Sequence, residues 1–398
     1  MTAMYLFTIV SLCVWTYANG GVAMDRIQPI RPIGPIRPVK PFTMPPPPSS
    51  QAPLDLAFIM DTTGSMSSYI RTARDNIRRV VNEIVQGSRT DIRFALIEYR
   101  DHPKEESTFV IRKNDFTSSV STMKTWLSNA RARGGGDTPE AVAEALHSGT
   151  TLSWRRRAVK IAVLVSDAPP HGLDPSIDNS YPQGSPNGHD PIDMAHKLLR
   201  KGVKLYTVGC EPAISPYKDF FMALAYIASG QYIPLNRPEV LIDAIIGGAK
   251  EELSLQQFSA DVQREIQKKQ ASGGTVDRAV IAKTVFDRLK SQNTKTTHLL
   301  RNNKPLGGPT SGAKAIAATI SLAEARKVFV KGSASVSSVG SALSKTRKMG
   351  SRLKSTSVKK AMGSSGSGGK EAFTAVKAAV SFDQIKRLVN SEAAKAGV

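Results

Sequence analysis

The stretch Ala57-Phe-Ile-Met-Asp-Thr-Thr-Gly-Ser-Met-Ser67 runs from an apolar segment into a carboxylate and then into a hydroxyl-rich turn. Asp61 ends the apolar run, and hydroxyls follow at two-residue steps, Thr63 and Ser65. Upstream, Leu54-Asp-Leu-Ala-Phe-Ile-Met60 has the composition of a buried strand. Downstream, Ile70, Ile77, Val80, Val81 and Ile84 recur at helical spacing within Tyr69–Val85. A strand therefore brings the chain to a tight turn and a helix carries it away. Such a junction can aim three oxygens at one hard cation of the Mg²⁺ type.

The same alternation continues outward. Strands are expected at 91–99, 107–112 (a short edge strand), 158–165, 203–209 and 231–235, and helices at 116–130, 139–148, 191–201, 218–228 and 238–256. Ala158-Val-Lys-Ile-Ala-Val-Leu-Val165 is nearly all apolar, which suits a strand covered on both faces. Strands alternating with helices predict an α/β fold, a doubly wound and mostly parallel sheet flanked by helices. In that architecture ligands meet the carboxyl ends of the strands. Three segments placed there carry suitable oxygens: Asp61-Thr-Thr-Gly-Ser65, Gly134-Gly-Gly-Asp-Thr138 and Ser166-Asp167. Together they offer the hydroxyls of Thr63, Ser65 and Thr138 and the carboxylates of Asp61 and Asp167. No His/Cys set has zinc-ligand spacing, so a soft-metal site is not expected. His102, His171 and His189 are read as surface loop residues, and Asp137 as either a neighbour of the ion site or a helix cap. The loop 168–190, rich in Pro, Gly and Asp, is read as a specificity loop beside the site.

These residues resemble the metal-ion-dependent adhesion site of a von Willebrand factor type A domain. The family pattern Asp-x-Ser-x-Ser, then a distant Thr, then a distant Asp, falls on Asp61, Thr63, Ser65, Thr138 and Asp167. Thr63 stands where the family has its first Ser, keeping the hydroxyl and adding a methyl. Asp61-Thr-Thr-Gly-Ser-Met66, Gly134-Gly-Gly-Asp-Thr-Pro-Glu140 and Ser166-Asp-Ala-Pro-Pro-His-Gly172 resemble the branch of hemicentin-like matrix proteins and of a kinase that joins such a domain to an alpha-kinase domain. The resemblance covers Leu54 to about Phe258. It implies a Mg²⁺ ion, or Mn²⁺, bound by the hydroxyls and, directly or through water, by the two Asp residues. One coordination position is then left for an acidic side chain of a protein partner.

The termini differ from this middle. An apolar stretch of 11 residues, Tyr5–Trp15, is followed by small residues up to Ala23, so 1–23 reads as a secretory signal too short to span a bilayer. No later run is long enough for a membrane span. Residues 24–53 read as a Pro-rich extended linker. Residues 259–300 read as a helical extension, and 301–398 as a basic Ser/Gly/Lys-rich low-complexity tail. The net charge is +21, and the tail holds 18 Lys and Arg against 4 Asp and Glu, which points to contact with polyanions. No Tyr or Trp lies beyond Tyr232, which argues against single-stranded nucleic acid. Past the signal only Cys210 remains, so no internal disulfide is expected. No arranged nucleophile and base is evident. The expectation is a secreted, non-enzymatic matrix or cell-surface adhesion protein. The alternative is a cytosolic scaffold whose tail meets nucleic acid or acidic proteins.

Overall fold

A computed structural model describes residues 52–85, 91–332 and 371–398. The signal, nearly all of the Pro-rich linker and the most Ser/Gly-rich part of the tail lie outside the described residues.

The described residues open with β1 (Leu54–Asp61), a single 3-10 turn (Gly64–Met66) and α1 (Ser67–Val85). Next come β2 (Ile92–Tyr99), β3 (Ile111–Thr117), α2 (Val120–Asn129), α3 (Val142–Thr150) and β4 (Val159–Ser166). The domain continues with α4 (Pro191–Arg200), β5 (Val203–Cys210), α5 (Lys218–Ile227), β6 (Tyr232–Leu235) and α6 (Leu241–Gln256). The six strands stand in the order β3-β2-β1-β4-β5-β6, and every pairing is parallel except that of the edge strand β3 with β2. This is the doubly wound α/β fold expected.

Alternation along β1 explains why both faces are covered. Leu54, Leu56, Phe58 and Met60 join one core with residues of α1 and α6, among them Ile77 and Ile245. Ala57 and Ile59 point the other way, into a core with Leu146 of α3, Leu198 of α4 and Phe220 of α5. β1 sits between β2 and β4, so the connections leave it in opposite directions. Its carboxyl end is therefore a topological switch point, where a crevice opens. The β1–β4 register places Met60 opposite Val165, which brings Asp61 and Asp167 to the same rim.

Two boundaries shift from expectation for visible reasons. The edge strand begins at Ile111 rather than Ser107, because Thr108 wraps the Glu106 carboxylate, donating from its N and Oγ1 at 2.7 Å each. Helix α3 begins at Val142 rather than Pro139, because Val142 N donates to Glu140 O at 2.8 Å instead of closing a helical turn, and the residues before it are tied to neighbouring loops. Glu140 N donates to Pro169 O and Ala141 N to Arg100 O, both at 2.9 Å.

The C-terminal third departs furthest from the sequence reading. Helices α7 (Ser259–Ala271) and α8 (Arg278–Ser291) are followed by β7 (Lys295–Arg301) and a two-residue β8 (Lys304–Pro305). Short helices α9 (Ser311–Ala317) and α10 (Leu322–Val328) come next, and the chain ends with β9 (Phe373–Ala379) and α11 (Phe382–Lys395). The reading of 301–398 as a low-complexity tail is thus corrected for 301–332 and 371–398, which are folded. β7 and β9 pair antiparallel, from Lys295 opposite Ala379 to Arg301 opposite Phe373. α11 supplies Ile385, Leu388 and Val389 to a third core with Val262 and Ile266 of α7 and Ile281 and Val285 of α8. α9 and α10 bury Ile316 and Leu322 in the core over α5. Among the described residues no helix is long and apolar enough to cross a membrane.

Candidate functional site

Asp61 is fully buried at the end of β1. Its Oδ1 accepts from Thr63 N at 2.8 Å and from Thr63 Oγ1 at 2.6 Å. Its Oδ2 has no partner. Thr62 holds the turn to β2, donating through Oγ1 to Tyr99 O at 3.1 Å. The glycine segment lies over the turn: Gly64 N donates to Gly134 O at 3.2 Å, and Arg133 N to Thr62 O at 3.1 Å. Glu140 and Pro170 form a parallel bridge, so the glycine segment is also tied to the loop after β4. Three segments distant in sequence are thereby locked around one crevice. Ser65 and Thr138 stand exposed at its mouth, and the Ser65 hydroxyl supports the half-buried Asp167 carboxylate.

Gly134 is held at a φ of 78°, and a Cβ there would lie 1.7 Å from Glu106 Oε2. Both the backbone and the space demand glycine. Gly134→Ala is expected to cost about 1–3 kcal/mol through left-handed strain and displacement of Glu106. It should also weaken ion binding, because the segment that presents Thr138 must move. Urea unfolding and Mg²⁺ titration check this, and a variant with unchanged values for both would show that the loop is free to adapt.

The electrostatics are one-sided. Burial, and then the charge of Asp167, push the Asp61 carboxyl up to about 7, against the lowering effect of Thr63. Burial raises Asp167 as well. Asp137 reaches about 7 through burial and Asp101. Glu140 reaches about 11 through burial and the charges of Asp61, Asp101, Asp167 and Asp137. Buried oxygens without partners recur here: Asp61 Oδ2, Asp101 Oδ2, both oxygens of Asp137 and Glu140 Oε2. A buried acceptor without a partner is costly, and several like charges together are more so. A divalent cation would relieve both penalties, so the residues fit one. Among the described residues no three carboxylate, imidazole or thiolate groups form a metal cage by themselves. An ion here would need the hydroxyls of Thr63, Ser65 and Thr138.

The structure gathers the five expected residues at one rim and adds acidic groups that the sequence reading passed over. Asp101 and Glu140 are buried beside the site, and Asp137 is part of this acidic basin rather than a helix cap. A signal for Asp101 was present, since it lies two residues past the end of the buried β2, at a strand's carboxyl end. The reading of His102 and His171 as surface residues is corrected: they are 2 % and 3 % exposed. His171 Nδ1 lies 3.1 Å from Asp178 Oδ2, and Nε2 lies close against Asp101 Oδ1. Burial pulls the His171 pKa down, but the hydrogen bond and charge of Asp101, and then Asp178, outweigh it and leave it raised. The histidine thus joins the 168–190 loop to the acidic rim.

The doubly wound sheet carries its carboxylate–hydroxyl rim at the switch point beside β1 and β4. Residues 55–231 match the von Willebrand factor type A domain model, and the chain carries a domain of that family, whose members bind other proteins. The chain is 32% identical over 157 residues to the alpha-protein kinase vwkA of Dictyostelium discoideum, covering 38% of this chain and 24% of that one. It is 25% identical over 196 residues to a putative ariadne-like RING finger protein of Acanthamoeba polyphaga mimivirus, covering 47% of this chain and 19% of that one. The chain thus spans a quarter or less of the length of these relatives. Similar solved structures include the open conformation of the pilus adhesin SpaC from Lactobacillus rhamnosus GG, with 14% identity, a TM-score of 0.38 and coverage of 51% and 30%. Another is proximal thread matrix protein 1 from the mussel byssus, with 15% identity, a TM-score of 0.34 and coverage of 50% and 49%.

Proposed function

We propose that the domain binds a partner protein by an exposed carboxylate of that partner, through a Mg²⁺ or Mn²⁺ ion at the β1–β4 crevice. Thr63, Ser65 and Thr138 would supply hydroxyls, and Asp61 and Asp167 carboxylates. The observation that carries this reading is the fully buried, unpartnered Oδ2 of Asp61 among like charges. Neutral hydroxyl ligands leave a bound cation electrophilic toward an anionic oxygen, which suits capture of an acidic side chain. The reading is of a binding protein rather than an enzyme, and its expected setting is outside the cell, supported by the apolar stretch and small residues in 1–23. The surplus of positive charge beyond residue 300 would add a salt-sensitive hold on polyanions.

The kinase and RING finger relatives favour a second reading, an intracellular scaffold. Sequencing the N-terminus of the mature protein separates the two. A start near residues 18–24 supports secretion, and a retained Met1 supports the scaffold. Partner capture from extracellular extract should occur with Mg²⁺ and disappear in chelator. Capture that persists in chelator would exclude the ion bridge.

A further inference from the structure

The geometry points to a second ligand site away from the acidic rim: we propose that the seam between β6 and residues 301–309 binds a small phosphorylated molecule. Lys218, Arg301 and Lys304 would hold the phosphate, and Met222, Tyr232 and Leu306 would cover an apolar body. The seam lines a half-open pocket of about 400 Å³, within the size range of small-molecule sites. Its lining includes those three cations and no carboxylate. A neighbouring cavity of about 310 Å³ shares the Met222, Tyr232 and Leu306 wall.

The cations differ in how they are held. The Arg301 guanidinium is anchored by Glu371, with Nη2 2.7 Å from Oε1, so its position is set before any ligand arrives. Lys304 makes no ion pair or side-chain hydrogen bond among the described residues, and Lys218 has only the Tyr232 ring, at 5.8 Å. Two uncommitted ammonium groups beside an anchored guanidinium match a phosphate dianion and leave it room for charge-assisted hydrogen bonds. The cavity borders an edge strand, which could invite strand addition by a peptide. Pro234 lies within that strand and removes a backbone donor, so a small molecule is the better occupant.

The site is independent of the proposed ion, so its test is run on the full chain in chelator. With ¹³C-methyl methionine, the Met222 resonance, assigned by Met222→Leu, reports the cavity. Phenyl phosphate is expected to shift it saturably, and to bind about tenfold more tightly than inorganic phosphate, since the ring adds apolar burial. Lys218→Glu/Lys304→Glu should weaken phenyl phosphate about tenfold or more, with the other methionine signals unchanged. Lys268→Glu/Lys269→Glu, the same charge change on the exposed face of α7, should leave binding within about twofold. Absence of a saturable Met222 shift, or equal weakening by the α7 control, would overturn the proposal.

Discussion

Asp61→Asn is expected to abolish Mg²⁺ binding while making the ion-free protein more stable above pH 7. The amide keeps an oxygen to accept from Thr63 N and Oγ1 but removes the buried charge that faces Asp167. The sign follows from linkage. The Asp61 carboxyl sits at about 7 in the fold, through burial and then Asp167, against about 4 in an unfolded chain. A raised folded value means stability that is fully present below about 4 and lost as pH rises through about 7. In chelator, the wild-type protein should therefore lose on the order of 2–4 kcal/mol between pH 4 and pH 8 from this group, and Asp61→Asn should lose less. With Mg²⁺ at about a hundred times its Kd, the wild type should regain about 2.7 kcal/mol and the variant nothing. Calorimetric unfolding at several pH values, with and without Mg²⁺, reads both effects. Equal Mg²⁺ stabilisation of the two proteins would reject the ion site.

Arg387→Ala is expected to cost about 3–5 kcal/mol, the size typical of breaking a buried ion pair from one side. Arg387 reaches from α11 to Glu251 and Glu252 of α6, its Nη1 lying 3.1 Å from Glu252 Oε1 and its Nη2 closer still to Glu251 Oε1. Lys204 Nζ of β5 lies 3.1 Å from Glu252 Oε2, and Tyr206 Oη donates to Glu252 Oε1 at 2.7 Å. Burial alone would lower the Arg387 pKa, but Glu252 and Glu251 hold it above its ordinary value. Removing the guanidinium leaves two buried carboxylates with one cation between them. It also loosens α11, whose Ile385, Leu388 and Val389 complete the α7–α8 core. Urea denaturation gives the loss, and hydrogen exchange should show protection falling in α7, α8 and α11 before the central sheet. A loss below about 1 kcal/mol would mean that α11 is held by its apolar face alone.

The central sheet was legible because its signals are local. Apolar runs at 54–60 and 158–165 report burial on two faces, and α1 between them carries its apolar period. The rim was legible in part for the same reason: Asp61 and Asp167 sit where β1 and β4 end. His102 and His171 were misplaced because a histidine in a loop gives no local sign of the carboxylates that will enclose it. Helices α7 and α8 showed their periodicity, whereas β9, Phe373-Thr-Ala-Val-Lys-Ala-Ala379, buries only Phe373 and carries almost no alternation. Its strand character comes from pairing with β7, more than seventy residues earlier.

By itself, then, the sequence determined the strand–turn–helix junction at Asp61, the alternation that builds the doubly wound sheet, and the positions of Asp61 and Asp167 at the ends of β1 and β4, because each depends on spacing within one element or at its end. Tertiary structure alone decided that Asp101, Asp137 and Glu140 would crowd that rim and that Arg387 would pair with Glu251 and Glu252 of α6. It also decided that the last twenty-eight residues would belong to the fold. Those outcomes depend on strand order, register and chain crossing, which bring together groups far apart in sequence, and no local period encodes which distant carboxylate a side chain will meet.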